Sequence, residues 1–204
     1  MNNVYTLFPD TLNLNGDSAN SLVLSKNLHW MGEKAQVLSV SNEVELNALI
    51  RLVKTGQKGI FVTIGHGSAA GMKSLEAFDA QIRTLIESLV DTKTPAIVVG
   101  SSLAWAGVDV TTKRERRSEF VLAEVAAEGW PTQGLGYLNS ELTLEPIVLK
   151  SNVILTLLHG PFLAKNPNWI DSVLEAMGVR ADRSGSRSVA DAYVEEIWRL
   201  ETEH

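Results

Sequence analysis

Short apolar runs alternate along this chain with segments in which apolar residues recur at helical spacing. Residues 4–8 read as a first strand, and 18–31 as a helix carrying Leu22, Val23, Leu28 and Trp30. Residues 35–40 make a second strand. A second helix over 44–54 is closed by Gly56, a residue that takes the left-handed conformation common at helix ends. The apolar run 60–64 opens into Gly65-His66-Gly67-Ser68. A long helix follows over 72–90, with Leu75, Phe78, Ile82, Ile86 and Leu89 on one face. Residues 95–105 then read as a buried strand, a tight turn at Gly100 and the start of a helix.

Beyond that turn the pattern changes. Residues 118–125, 134–138 and 147–150 have strand character with no helix between them, which predicts an antiparallel patch. A strongly apolar strand over 153–158 ends at His159-Gly160-Pro161, and helices over 167–177 and 189–202 close the chain. In the last helix Asp191, Glu195 and Glu196 are expected to face outward, and Val194, Ile197 and Trp198 inward. This alternation predicts an α/β fold with a mostly parallel sheet and a small antiparallel patch. The 204 residues show no repeat, low-complexity tract or linker, so one domain over 1–204 is expected.

Composition narrows the function classes. Hydrophobic residues make up 45% of the chain and charged residues 21%, ordinary values for a soluble globular protein. A net charge of −6 disfavours nonspecific nucleic-acid binding, because a phosphate backbone is repelled on average. The basic run Lys113-Arg114 and Arg116-Arg117 is interrupted by Glu115 and followed by Glu119, and reads as a solvated loop or edge strand. With no cysteine, disulfides, thiolate metal sites and cysteine catalysis are excluded. The start, Met1-Asn2-Asn3-Val4, lacks the features of a signal peptide, and no apolar stretch approaches the roughly 20 residues of a membrane span. A cytoplasmic protein without membrane insertion is expected. No histidine pair has metal-site spacing, and neither a metal nor a cofactor is expected.

Ligands of open α/β sheets bind where loops leave the carboxyl ends of the strands. Three loops qualify: 65–70, 100–103 and 159–165. Gly65-His66-Gly67 reads either as a tight strand exit or as a set of backbone N–H groups for an oxyanion, and His66 either as a base or as a polar loop residue. Gly100-Ser101-Ser102 reads either as a helix start that binds an anion or as one merely capped by its hydroxyls, with Ser101 a candidate in the substrate and oxyanion set. The G-x-S-x-G elbow of a serine nucleophile is absent. His159, at a strand end, is a general-base candidate or a structural histidine. His29 lies within the first helix beside Trp30, and His204 is terminal.

Read together, the loops carry a resemblance. The run Leu7-Phe8-Pro9-Asp10-Thr11-Leu12-Asn13-Leu14-Asn15-Gly16-Asp17-Ser18-Ala19-Asn20 resembles a family opening of the form Y-P-D-x-x-N-x-x-G-D-x-x-N. Leu158-His159-Gly160-Pro161-Phe162-Leu163-Ala164-Lys165-Asn166-Pro167 is similar to its L-H-G-P-x-L-x-x-N-P segment, which carries the catalytic histidine. Gly136-Tyr137-Leu138-Asn139-Ser140 is similar to its G-F-E-N-H segment. The family is the glutamine amidotransferase subunit of lipid II isoglutaminyl synthase, among the cobyric-acid-synthase-like class I amidotransferases. The resemblance spans residues 5–179. It implies a flavodoxin-like, three-layer class I glutamine amidotransferase fold.

In that family a cysteine at the strand–helix elbow attacks the side-chain amide of glutamine, a histidine serves as base and loop N–H groups hold the oxyanion. Ammonia passes to a Mur-ligase-like partner subunit that amidates a peptidoglycan precursor. The chain departs from this pattern at the chemistry. The family's C-G-G elbow is Gly100-Ser101-Ser102, so the cysteine position falls on Gly100. The G-G-G-Q oxyanion and substrate loop is Gly65-His66-Gly67-Ser68, and the histidine of G-F-E-N-H is Ser140. Only His159 keeps its expected place, and Arg116 or Arg117 matches a substrate-contacting arginine. The resemblance thus implies a glutaminase-inactive member that binds a Mur-ligase-like partner. A rearranged hydrolase using Ser101, Ser102 or His66 with His159 remains open, as does a regulatory protein that binds glutamine or another amino acid.

Overall fold

The computed structural model describes residues 1–202 apart from the side chains of Arg114 and Thr202. His204 and the Arg114 side chain noted in the sequence therefore lie outside the described residues. A six-stranded sheet has the spatial order β2-β1-β3-β4-β8-β7, with β1 Asn2–Leu7, β2 Ala35–Val40, β3 Ile60–Ile64, β4 Ala96–Val99, β7 Ile147–Lys150 and β8 Val153–Thr156. The first five strands run parallel, and β7 lies antiparallel to β8 at the edge. Every residue of β3, β4 and β8 is buried, which explains why these runs read as continuously apolar rather than alternating. The helices α2 Glu43–Lys54 and α4 Asp79–Asp91 pack against each other. The helices α1 Ala19–Trp30, α5 Pro167–Ala176 and α6 Ser186–Thr202 gather elsewhere on the sheet. The α/β, mostly parallel, flavodoxin-like architecture is the one the sequence predicts.

A second, antiparallel sheet of three strands has the order β5-β6-β9, from β5 Lys113–Glu124, β6 Gln133–Leu142 and β9 Leu158–His159. The antiparallel patch is present, with one change of membership. Residues 147–150 were expected in it and instead close the main sheet as β7. The basic run begins β5, an edge strand.

Three further expectations are corrected. The helix over 72–90 is broken into α3 Ala69–Ser74, a 3₁₀ turn Glu76–Phe78 and α4. Its apolar face is split at that turn, where Phe8 meets Phe78. In α1 Leu28 is buried as expected, but Leu22 is exposed and Leu24 is buried instead. The helix buries small polar residues, and Ser21 accepts a hydrogen bond from Thr6 (2.8 Å) and donates one to Thr63 (2.9 Å). Small side chains let the helix approach the sheet, and the hydroxyl chain satisfies their polar atoms. In α6, Asp191 is buried and Ile197 exposed, the reverse of expectation. Arg187, fully buried, pairs with Asp171 of α5 and lies 4.0 Å from Asp191, so an ion cluster holds the helix where an apolar stripe was expected.

Asn166 ties β6 of the second sheet to the 3₁₀ turn Phe162–Lys165 that precedes α5. Its Oδ1 accepts from Leu135 N (2.8 Å), and its Nδ2 donates to Leu135 O (2.8 Å) and Phe162 O (2.7 Å). Asn166→Ala strands the buried backbone groups of Leu135, and should cost about 2–4 kcal/mol in a denaturant-unfolding measurement.

Candidate functional site

The three loops singled out in the sequence meet at one end of the main sheet, and one carboxylate joins two of them, those after β3 and β9. Asp17 is fully buried; its Oδ2 accepts from His66 N (2.8 Å) and its Oδ1 from Gly160 N (2.9 Å). Burial raises its pKa, against the opposing pull of those N–H bonds and of His159 and Lys165. The neighbouring asparagines are staples as well. Asn13 Oδ1 accepts from Ser18 N (2.9 Å), while Asn20 donates to Asp17 O (2.8 Å) and accepts from Leu163 N (2.9 Å). The residues that carry the N-terminal resemblance therefore hold the loops in register. Their role was not read from the sequence, although polar side chains recurring in a run that must be buried were its signal.

The turn after β4 keeps the geometry of a nucleophile elbow without a nucleophile. Gly100 has φ +58°, the left-handed region, and opens a 3₁₀ turn, Gly100–Ala106, where the sequence predicted a helix start. The space above its Cα is filled by His66. A Cβ on Gly100 would lie 2.5 Å from His66 Nδ1 and 2.9 Å from its Cγ. The same Nδ1 accepts a hydrogen bond from Ser101 N (2.9 Å), which pins the ring over the turn. Gly65 is required for a different reason: a Cβ there would lie 2.1 Å from the carbonyl oxygen of Leu12.

Three of the loop N–H groups considered as oxyanion donors are already committed. His66 N donates to Asp17, Gly67 N to Ser101 Oγ (3.0 Å) and Ser101 N to His66 Nδ1. Ser68 caps α3, its Oγ accepting from Gly71 N (3.1 Å). The serine hydroxyls are occupied too: Ser101 Oγ donates to Gly67 O (2.9 Å), and the buried Ser102 Oγ donates to Gly65 O (2.6 Å). Neither serine is hydrogen-bonded to a histidine through its hydroxyl.

His159 stands beside His66, with ring centroids 4.9 Å apart. Its Nδ1 accepts from Asn15 Nδ2 (2.8 Å), and its Nε2–H donates to Asn139 O (3.3 Å). This tautomer follows from the carbonyl, which can only accept. The lone pair that a general base needs is thus held by Asn15, a partner the sequence reading did not assign. Burial pushes His66 down to about 4 and also lowers His159 below the ordinary imidazole value, so both rings are neutral at pH 7.

These groups line a cleft of about 410 Å³ between the elbow and the second sheet. Arg116 lines it, its Nε donating to Asn139 Oδ1 (2.8 Å). Arg117 does not; it pairs with Glu119 (2.6 Å). Ser140 lines the cleft at the position where the resembled family has a histidine. His29 is exposed on α1, far from this arrangement. It borders an apolar cleft of about 550 Å³ between α1, α5 and α6 that contains none of the three loops' chemistry. Among the described residues, no three His, Asp or Glu side chains gather so as to hold a metal ion. No helix among them is long and apolar enough to cross a membrane.

His66 has a folded-state pKa below its free value of 6.5, so its contribution to stability is present above 6.5 and is lost as the pH falls toward 4. Thermal melts between pH 7 and pH 4 should show a steeper loss for the wild type than for His66→Ala. NMR should place the His66 titration near pH 4.

No family model and no curated protein matches this chain. Among solved structures, the chain is similar to the glutaminase domain of a Trypanosoma brucei CTPS, solved with bound acivicin. The match has a TM-score of 0.55 at 8% sequence identity and covers 92% of this chain and 99% of that domain. The chain has the class I glutamine amidotransferase fold.

Proposed function

We propose that this protein is a glutamine amidotransferase-like subunit without glutaminase activity, which binds and orders a Mur-ligase-like partner acting on a peptidoglycan precursor. The observation that carries the inactive reading is His66 over Gly100. A cysteine at this elbow needs the volume that the imidazole fills, and its oxyanion needs N–H groups that Asp17, Ser101 and His66 already hold. His159 then has no nucleophile to activate, and its Nδ1 is tied to Asn15. The partner assignment rests on the resemblance of residues 7–20 and 158–167, and a ligase served this way draws on free ammonia. The single domain and the cytoplasmic location belong to the same proposal. A rearranged serine–histidine hydrolase finds no supporting contact, since both serine hydroxyls donate to carbonyl oxygens.

The purified chain should release glutamate from glutamine no faster than buffer; turnover abolished by His159→Ala would overturn the reading. Co-purification from the native cell should bring down a Mur-ligase-like protein in stoichiometric amount, and its absence would count against the partner.

The clash between positions 66 and 100 gives a second test. Gly100→Cys alone combines left-handed strain of about 1–2 kcal/mol with overlap against His66. In a His66→Gly background the overlap vanishes. A double-mutant cycle should therefore show a coupling of at least about 1 kcal/mol, where independent sites would add.

A further inference from the structure

The cleft beside the elbow presents several free hydrogen-bond donors. Ser101 N–H occupies His66 Nδ1, so the proton of the neutral ring sits on Nε2. That Nε2–H has no protein partner among the described residues, and His66 lines the cleft. Arg116 is fixed at Nε by Asn139, which leaves its terminal guanidinium nitrogens open, and it forms no ion pair among the described residues. Ser140 Oγ accepts from Leu142 N (3.1 Å), so its hydroxyl proton is left to donate.

Most side-chain acceptors around the cleft are engaged. Asn139 Oδ1 accepts from Arg116 and Asn139 O from His159, His159 Nδ1 accepts from Asn15, and one carboxylate oxygen of Glu141 is paired with Lys113 at 3.0 Å, which leaves its other oxygen as a free acceptor among the described residues. Asp17 lies behind the histidines, fully buried and bonded to two backbone N–H groups. Met72, Val110, Leu142 and Leu157 supply an apolar wall.

We infer that this cleft is a binding site for a small organic carboxylate with an apolar body, held by Arg116, His66 Nε2–H and Ser140. A carboxylate brings a negative charge and only acceptors to Arg116, His66 and Ser140, whereas a neutral carboxamide brings no charge and turns two hydrogens toward a row of donors. The site thereby favours a carboxylate over the carboxamide that a glutaminase must take. The volume of about 410 Å³ suits a ligand of amino-acid size. The inference builds on the reading of the elbow as non-hydrolytic, since His66 supplies a donor only while it occupies the place over Gly100.

The test uses the full chain and an isosteric pair of probes, 4-methylpentanoate and 4-methylpentanamide, with inorganic phosphate as a third, in calorimetric titrations at pH 7.5. The carboxylate should bind saturably and about tenfold or more tighter than the amide, the scale of one charge-assisted hydrogen bond. Arg116→Gln should remove that preference, while Arg117→Gln, outside the cleft, should preserve it; thermal melts confirm that each variant is folded. Equal affinity for acid and amide, a preference untouched by Arg116→Gln, binding of phosphate but not the carboxylate, or no binding of any probe would each overturn the inference. None of these outcomes depends on glutamate release, so this failure is separable from failure of the non-hydrolytic reading.

Discussion

The Asp17 carboxylate organises everything that follows in this molecule. It is buried, and a buried charge is tolerated only when its oxygens are fully engaged. Here the engagement reaches three separate segments: its own loop, the exit of β3 through His66 N–H and the end of β9 through Gly160 N–H. Asn13 and Asn20 extend the same arrangement to α1 and to Leu163. The loops after β3 and β9 are thus tied through their backbone N–H groups, while the Gly100 turn is held to the first of them by the side chains of His66 and Ser101.

The packing at positions 66 and 100 has a physical logic. The elbow retains its left-handed turn, but glycine leaves a void and His66 fills it, bonded to the next N–H. An empty apolar pocket of side-chain size costs stability, and a backbone N–H left without a partner costs more. The imidazole removes both costs at once. The same contact fixes its tautomer and leaves the outer nitrogen as a donor.

The fold was largely legible in the chain. The continuously apolar runs of β3, β4 and β8 announce strands buried on both faces, and the glycine-rich exits mark the edge at which ligands bind. Where the reading failed, polar contacts had replaced apolar ones. The first helix packs through Ser21 and its hydroxyl partners, and the last is anchored by Arg187 and Asp171, which hydrophobic periodicity cannot reveal. The strand at 147–150 shows the same limit: local pattern specifies a strand but not which sheet it joins.

At the site the division is sharper. Residue identities alone establish that no thiol can attack, that Gly100 stands at the apex of the turn after β4, and that His159 follows a buried strand. They do not say that His66 lies over Gly100, that Asn15 holds His159, or that Arg116 rather than Arg117 faces the cleft. Those facts depend on contacts between segments up to 144 positions apart and on the register shift within β5 between Lys113 and Arg117. Periodicity and turn chemistry act over a few residues, whereas hydrogen-bond partners and filled volumes exist only once distant loops have been brought together.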